Sequence, residues 1–149
     1  MSVLLQVCVV HSIHHNNDID NGLYTWGDNS YGQLGHGVVG QTVTTPTLVN
    51  FDWDAGAFDV AVGWNHTAVI SCSGRLYTFG CGKYGVLGHG NENNRTDPAV
   101  VKVLMNHRVC QVTCGGNVTT ALTDAGAVYV CGEGAYGQLG LVSDVNELS

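Results

Sequence analysis

Apolar and polar positions in this chain alternate in short bursts and never settle into long waves. Strand-length runs rich in Val, Ile, Thr and aromatic residues are bounded by Gly, Asn and Asp, and no segment keeps an apolar stripe at the 3.6-residue helical period. Where the pattern is fullest, four strands are predicted near Asp59–Val62, Thr67–Ser71, Leu76–Phe79 and Ala99–Leu104. Successive strand residues point to opposite faces, so Leu76 and Thr78 share one face while Tyr77 and Phe79 share the other. Both faces are largely apolar, which implies a sheet covered on both sides. The predicted class is all-β.

The bursts repeat. Gly22-Leu-Tyr-Thr-Trp-Gly27, Arg75-Leu-Tyr-Thr-Phe-Gly80 and Ala127-Val-Tyr-Val-Cys-Gly132 superimpose, with Tyr24, Tyr77 and Tyr129 spaced 53 and 52 residues apart. Pro46 maps on Pro98, and Val60-Ala-Val-Gly63 maps on Val112-Thr-Cys-Gly115. A fixed step of this length marks stacked units of a few strands each, the pattern of propeller blades. Residues 22–149 hold about two and a half such units, with boundaries near 56 and 108. Residues 1–21 form a divergent N-terminal segment in which Val7–Ile13 reads as a degraded strand. The expected architecture is an incomplete β-propeller of four-stranded antiparallel blades.

Glycine makes up 21 of 149 residues, about twice the usual share, with no collagen-like period. Structural turn roles fall to Gly27, Gly80 and Gly132, which end a strand at a bend, and to the pairs Gly32/Gly35, Gly85/Gly88 and Gly137/Gly140, which suit turns with positive φ. Between the paired glycines, Leu34, Leu87 and Leu139 are placed to plug apolar space.

Charge narrows the function. The net charge is −7, and the five cations Arg75, Lys83, Arg95, Lys102 and Arg108 are scattered along the chain. No basic stripe is available for phosphate backbones, so a direct nucleic-acid partner is not expected. No apolar run approaches a bilayer span, and no membrane association is expected. Val3–Val10 lacks the flanks of a secretory signal. The six cysteines lack paired zinc-ligand spacing and are expected to be buried thiols. An intracellular location in cytoplasm or nucleus follows. Three sequons, at Asn65, Asn94 and Asn117, would matter only in a secreted protein.

Little points to catalysis, and no cofactor or metal is expected. Gly80-Cys-Gly-Lys-Tyr-Gly85 and Gly132-Glu-Gly-Ala-Tyr-Gly137 spell G-x-G-x-x-G, but nucleotide binding through that motif needs a helix directly after it, and Val-Leu-Gly-His-Gly cannot start one. His36 and His89 take equivalent turn positions, with Leu141 in the third unit. They read as repeat-encoded turn residues against the alternative of a metal pair. Ser71, Cys72 and Ser73 have no histidine and carboxylate nearby in sequence. Asp52 and Asp54 beside Trp53 read as a solvated loop. The turn Trp64-Asn65-His66 is the candidate partner-binding site, because loops between strands carry function disproportionately. For His66 a structural hydrogen bond to a neighbouring blade is the competing reading.

Tyr24-Thr-Trp-Gly-Asp-Asn-Ser-Tyr-Gly-Gln-Leu-Gly-His-Gly37 closely resembles the repeat of the regulator of chromosome condensation. Asp59-Val-Ala-Val-Gly-Trp-Asn-His-Thr-Ala-Val69 resembles that repeat's other half, a strand followed by G-x-x-H-T, and the two halves stand in the family's order. The resemblance covers roughly residues 22–141. It implies a blade fold, normally closed as seven blades, and one of three roles: a non-catalytic protein-interaction module, part of a guanine-nucleotide exchange factor for a Ran-like small GTPase, or the substrate-binding propeller portion of a ubiquitin ligase. The chain departs from the family in blade number and in Val118, which replaces the histidine found at His66. An open set of blades leaves uncovered faces, so further blades or self-association are expected to complete it.

Overall fold

A computed structural model describes the backbone of residues 7–15, 18–140 and 146–147, and side chains over 21–140. Leu141 and the Cys8 side chain lie outside the described residues, as do Val3 to Gln6 of the apolar N-terminal run.

Three sheets follow one another along the chain. The first contains β1 (Val7–His15), β2 (Asp18–Gly27) and β3 (Val43–Leu48); the second contains β4 (Ala57–Val62), β5 (His66–Ser71), β6 (Leu76–Gly80) and β7 (Arg95–Val100). The third contains β8 (Val109–Cys114), β9 (Val118–Thr123), β10 (Val128–Gly132) and β11 (Asn146–Glu147). No α-helix occurs among the described residues; Lys83–Gly85 and Lys102–Leu104 are single 3-10 turns. Only the second sheet has the complete four-stranded antiparallel form. The first has three described strands, and β11 runs parallel to β10. The chain is an all-β stack of propeller blades.

The registers repeat with the sequence. Tyr24 faces Leu48 and Thr25 faces Thr47 in the first sheet, just as Tyr77 faces Val100 and Thr78 faces Ala99 in the second. Each pairing then slips before the terminal glycine, so that Gly27 meets Val43 and Gly80 meets Arg95. Gly27, Gly80 and Gly132 have φ of 111°, 105° and 120°, and the six paired glycines also have positive φ. Leu34, Leu87 and Leu139 are buried inside those turns.

Two cores fill the gaps between sheets. Leu23 and Val49 of the first unit pack with Val69, Tyr77 and Phe79 of the second. On the other face of the second sheet, Ala68, Ile70 and Leu76 pack with Val109, Val112, Ala121 and Cys131 of the third. The alternation of Leu76 against Tyr77 and Phe79 therefore separates two cores, and each apolar side chain stabilises the stack by about 2 kcal/mol when fully buried. β4 lies against both β1 and β8, so the first strand of each sheet sits nearest the common centre while β3 and β7 form the outer rim. Pro46 and Pro98 fall on those rim strands, where an absent N–H blunts an exposed edge.

Five local expectations change. The first concerns two of the turn glycines. Gly35 and Gly140 stand at the closing end of their turns and not inside the bend, and irregular backbone begins at each of them. The reason is where the closing bond falls. The Gly35 N–H donates to the Gly32 carbonyl at 3.0 Å, and the Gly140 N–H donates to the Gly137 carbonyl at 3.1 Å, so the turned residues are the ones in between. Their φ values, 74° and 59°, serve the exit of the chain instead. At Gly35 that exit is also a close approach, since a Cβ would stand 2.8 Å from the Phe79 ring, whereas Gly140 has nothing within 4 Å.

The rim strand predicted at Ala99–Leu104 is instead Arg95–Val100, because the polar Arg-Thr-Asp start pairs with Gly80 through backbone alone, and the Val101 N–H bond to the Leu76 carbonyl (2.8 Å) closes the strand. Leu104 then turns under into the core. The weak strand at Val7–Ile13 extends to His15 and pairs with β2, which begins at Asp18, so residues 18–21 continue the first sheet across the expected boundary. Trp53 is buried, in edge contact with Phe51 (4.8 Å) and Tyr77 (5.5 Å), so its loop is anchored to the core; Asp54 pairs with Arg75 at 3.1 Å and only Asp52 is exposed. Of the cysteines with described side chains, Cys131 alone is buried; Cys72 and Cys81 are half-exposed thiols and Cys110 is exposed, because each lies outside the inter-sheet apolar positions.

Candidate interaction surface

Threonine hydroxyls tie each sheet to the one before it. Thr67 donates to the Gln33 carbonyl at 2.6 Å, and Thr119 donates to the Val86 carbonyl at 2.8 Å, one repeat later. Thr119 has a single proton, already committed, so the His66 ring supplies the proton in its 2.9 Å contact through Nε2. His66 is only 1% exposed, and burial pushes its pKa down to about 4, so the ring is neutral at pH 7. Gly63 makes room for that ring, since a Cβ there would overlap His66 Cε1.

A parallel device closes each glycine-rich turn. Thr25 donates to the Leu34 carbonyl at 2.8 Å and receives His36 Nε2 at 2.9 Å; Thr78 donates to the Leu87 carbonyl at 2.6 Å and receives His89 Nε2 at 2.9 Å. His36 and His89 thus pin their own turns, each to its own threonine. In the third unit Val130 stands where the threonine would be and Leu141 where the histidine would be, so donor and acceptor are replaced together.

Beside His66 the chain turns outward. Trp64 is 73% exposed, yet it is fixed from below: its N–H donates to the Gly116 carbonyl at 3.0 Å, and the indole lies on Gly116, where a Cβ would come within 2.9 Å of the ring. Gly116 is the next unit's counterpart of Trp64, so a tryptophan on one turn rests on the bare backbone of the following turn. Asn65 is half-buried, and its carbonyl accepts the Cys81 N–H at 2.8 Å, as the Asn117 carbonyl accepts the Glu133 N–H at 2.9 Å. These bonds hold the long β6–β7 loop, and the segment after β10, at the same end of the stack as Trp64.

That end carries further aromatic surface. Tyr84 is partly exposed at φ 62° with Lys83 Nζ 4.7 Å from its ring centre, and Tyr31 and Tyr136 take the equivalent positions of their units. Tyr136 is 89% exposed. The three predicted site residues therefore separate: Trp64 presents a surface, Asn65 holds a loop by its backbone, and His66 lies between sheets. The tyrosines are an addition. Their recurrence one residue before Gly32, Gly85 and Gly137 was visible in the repeat, but their exposure depends on the loop geometry. A single 3-10 turn, Lys83–Gly85, forms the second half of the first G-x-G-x-x-G, and turn and bend residues follow it in place of a helix, so that motif builds a turn. No group of three or more His, Cys, Asp or Glu suited to a metal occurs among the described residues.

Comparison with known proteins locates this geometry. Residues 20–70 and 73–122 match the model of the Regulator of chromosome condensation (RCC1) repeat, and a second model of that description matches residues 59–86 and 109–138. The X-linked retinitis pigmentosa GTPase regulator homolog of Caenorhabditis elegans is 41% identical over 130 residues, covering 85% of this chain and 9% of that protein. The probable E3 ubiquitin-protein ligase HERC4 of Rattus norvegicus is 38% identical over 127 residues, again 85% of this chain and 12% of the relative. Among solved structures, Prp20p of Saccharomyces cerevisiae, described with its binding properties to Gsp1p and histones, superimposes with a TM-score of 0.72 at 25% identity, covering 81% of this chain and 31% of that one. The chain thus spans a minor part of each.

Proposed function

Since the chain belongs to the regulator of chromosome condensation repeat family, we propose that it acts as a non-catalytic protein-interaction module, with the Trp64 end of the stack as its contact face. One observation carries the reading: a largely exposed tryptophan is immobilised against a neighbouring backbone. Tryptophan and tyrosine dominate the binding energy of protein interfaces, and a side chain held rigid before binding loses little entropy on docking. His36, His89 and His66 each commit Nε2 to a threonine, Thr25, Thr78 and Thr119 respectively.

The test is Trp64→Ala. Because the side chain projects from the stack, the variant is expected to keep its circular dichroism and its unfolding midpoint. Affinity for a purified partner is expected to fall about 30-fold, the loss of roughly 2 kcal/mol typical of an interface anchor. Unchanged affinity would remove this face from consideration.

A small GTPase is the second reading, supported by the likeness to Prp20p and its described binding to Gsp1p. Exchange would require the face to distort a nucleotide site, and GDP release from a Ran-like GTPase in the presence of this chain measures it directly. A substrate-binding role within a ubiquitin ligase draws on the HERC4 likeness. For location, an intracellular compartment is proposed, where the Cys72, Cys81 and Cys110 thiols would stay reduced.

A further inference from the structure

On the outer side of the second sheet lies a cavity of about 490 Å³ between the loop that follows Gly88 and the corner after β7. Three nitrogen-bearing side chains, His89, Arg95 and Lys102, line it together with Asn91, and no carboxylate does. The volume falls in the range of small-ligand pockets.

Arg95 is the feature that needs an explanation. Its Nε is buried without a hydrogen-bond partner, although buried polar atoms are normally paired, while the residue as a whole is half-buried at the pocket wall. The ion pair formed by described residues elsewhere, Arg75 with Asp54, lies at the opposite end of the stack. The nearest acid on the same strand, Asp97, accepts from Thr96 at 3.0 Å and sits beside Gly37 of the preceding loop. Lys102 is exposed at the far lip. Both charges reach the His89 ring, where burial first, then Arg95 and Lys102, bring the pKa down to about 4. With Nε2 spent on Thr78, His89 has its Nδ1 left over.

The repeat supplies an internal control. In the first sheet Val43 occupies the position of Arg95 by strand register, and Asn50 the position of Lys102. The histidine is common to both units, as His36 and His89. The two cations are therefore not by-products of the blade; they distinguish the second unit from the first, in a chain with only five Lys and Arg and a net charge of −7.

We propose that this pocket binds a phosphate monoester, with the oxyanion between Arg95 and Lys102 and the organic group against Ala99 and Val103. Two cations with no acid beside them match a dianion, whereas a carboxylate would leave one of them uncompensated. The volume exceeds what a bare phosphate fills, and the aliphatic wall accounts for the remainder. Two sources could supply the ester, a free small molecule or a phosphorylated residue of another protein.

Titrating the full chain with phenyl phosphate, while following backbone amide resonances, tests the site. Saturable shifts are expected at His89, Asn91, Arg95 and Lys102, with benzoate at equal ionic strength binding at least several-fold more weakly. Lys102→Gln, a surface change that leaves packing intact, is expected to weaken phenyl phosphate about tenfold, as is usual for losing a charged hydrogen bond. Arg95→Gln is expected to weaken it at least as much. A phosphoserine peptide binding more tightly than phenyl phosphate assigns the ester to a protein; the reverse order assigns it to a small molecule, and either order supports the pocket. Absent saturation, equal affinity for benzoate, or an unchanged affinity in Lys102→Gln overturns the proposal. None of these outcomes bears on Trp64, so the two readings fail separately.

Discussion

Replacing Gly80 with alanine is expected to destabilise the fold by about 4 kcal/mol, combining a backbone conformation closed to side chains with an unrelieved overlap. Gly80 has φ of 105°, beyond the left-handed helical region that asparagine or alanine can enter at modest cost. A Cβ there would stand 2.5 Å from the Asn65 carbonyl oxygen and 2.9 Å from His66 Cα, backbone atoms where the turn enters the adjacent strand. Neither can retreat without breaking the Cys81–Asn65 bond that anchors the loop. The midpoint of thermal unfolding should fall by about 12 °C for a chain of this length. Gly85→Ala is the control. Gly85 has φ of 69° and nothing within 4 Å of a Cβ, so only the conformational cost remains, about 1 kcal/mol. Equal losses in the two variants would mean that the close approach at Gly80 contributes nothing.

His66→Ala is expected to cost about 3 kcal/mol at pH 7, through the void left between two sheets and the lost bond to Thr119. Its pH dependence separates this role from simple packing. The ring has a pKa near 4 in the folded chain against an ordinary 6.5, so between those values the unfolded chain binds more protons. Stability from this residue is therefore fully present above pH 6.5 and drains away as pH falls toward 4, by up to about 3 kcal/mol. Urea unfolding at pH 7, 5.5 and 4 should show the parent losing stability more steeply than His66→Ala. Part of the slope should persist in the variant, since His89 is depressed in the same sense. Parallel curves would show that the ring does not titrate as its burial requires. If the variant folds and still binds a partner, His66 is a positioning residue behind the Trp64 turn.

What could be read from the chain alone depended on how local the cause was. The 52- and 53-residue step, the alternation through Leu76-Tyr-Thr-Phe79 and the positive φ of the paired glycines are all local or repeat-encoded, and they were legible. Which residue ends each turn was not: Gly35 and Gly140 do, because the closing bond is made by their own N–H. Trp53 was hidden too, because its burial is decided by Phe51 and Tyr77 meeting it from either side, and two flanking aspartates gave the opposite signal. The start of β7 was missed for a related reason: Arg95 and Asp97 flank a single strand former, Thr96, and the segment is held in place by the pairing of Arg95 with Gly80 across the ladder. Trp64 was legible as a loop residue, whereas its footing on Gly116 required knowing that successive turns touch. Arg95 and Lys102, which read as two of five scattered cations, converge only because β7 slips against β6 and the chain then turns at Lys102–Leu104.

The second sheet is the one with described neighbours on both faces. The third shows on its outer side a shallow groove lined by Thr113, Thr120, Leu122 and Val128. These are the repeat counterparts of Ala61, Ala68, Ile70 and Leu76, which the second sheet has sealed against the third. Local opening of a sheet exposes whatever its neighbours covered, so the free energy of opening should differ among three nearly identical units. Amide protons of β5 and β6 should accordingly exchange with deuterium slowest in the chain, and those of β9 and β10 markedly sooner, despite matched ladders.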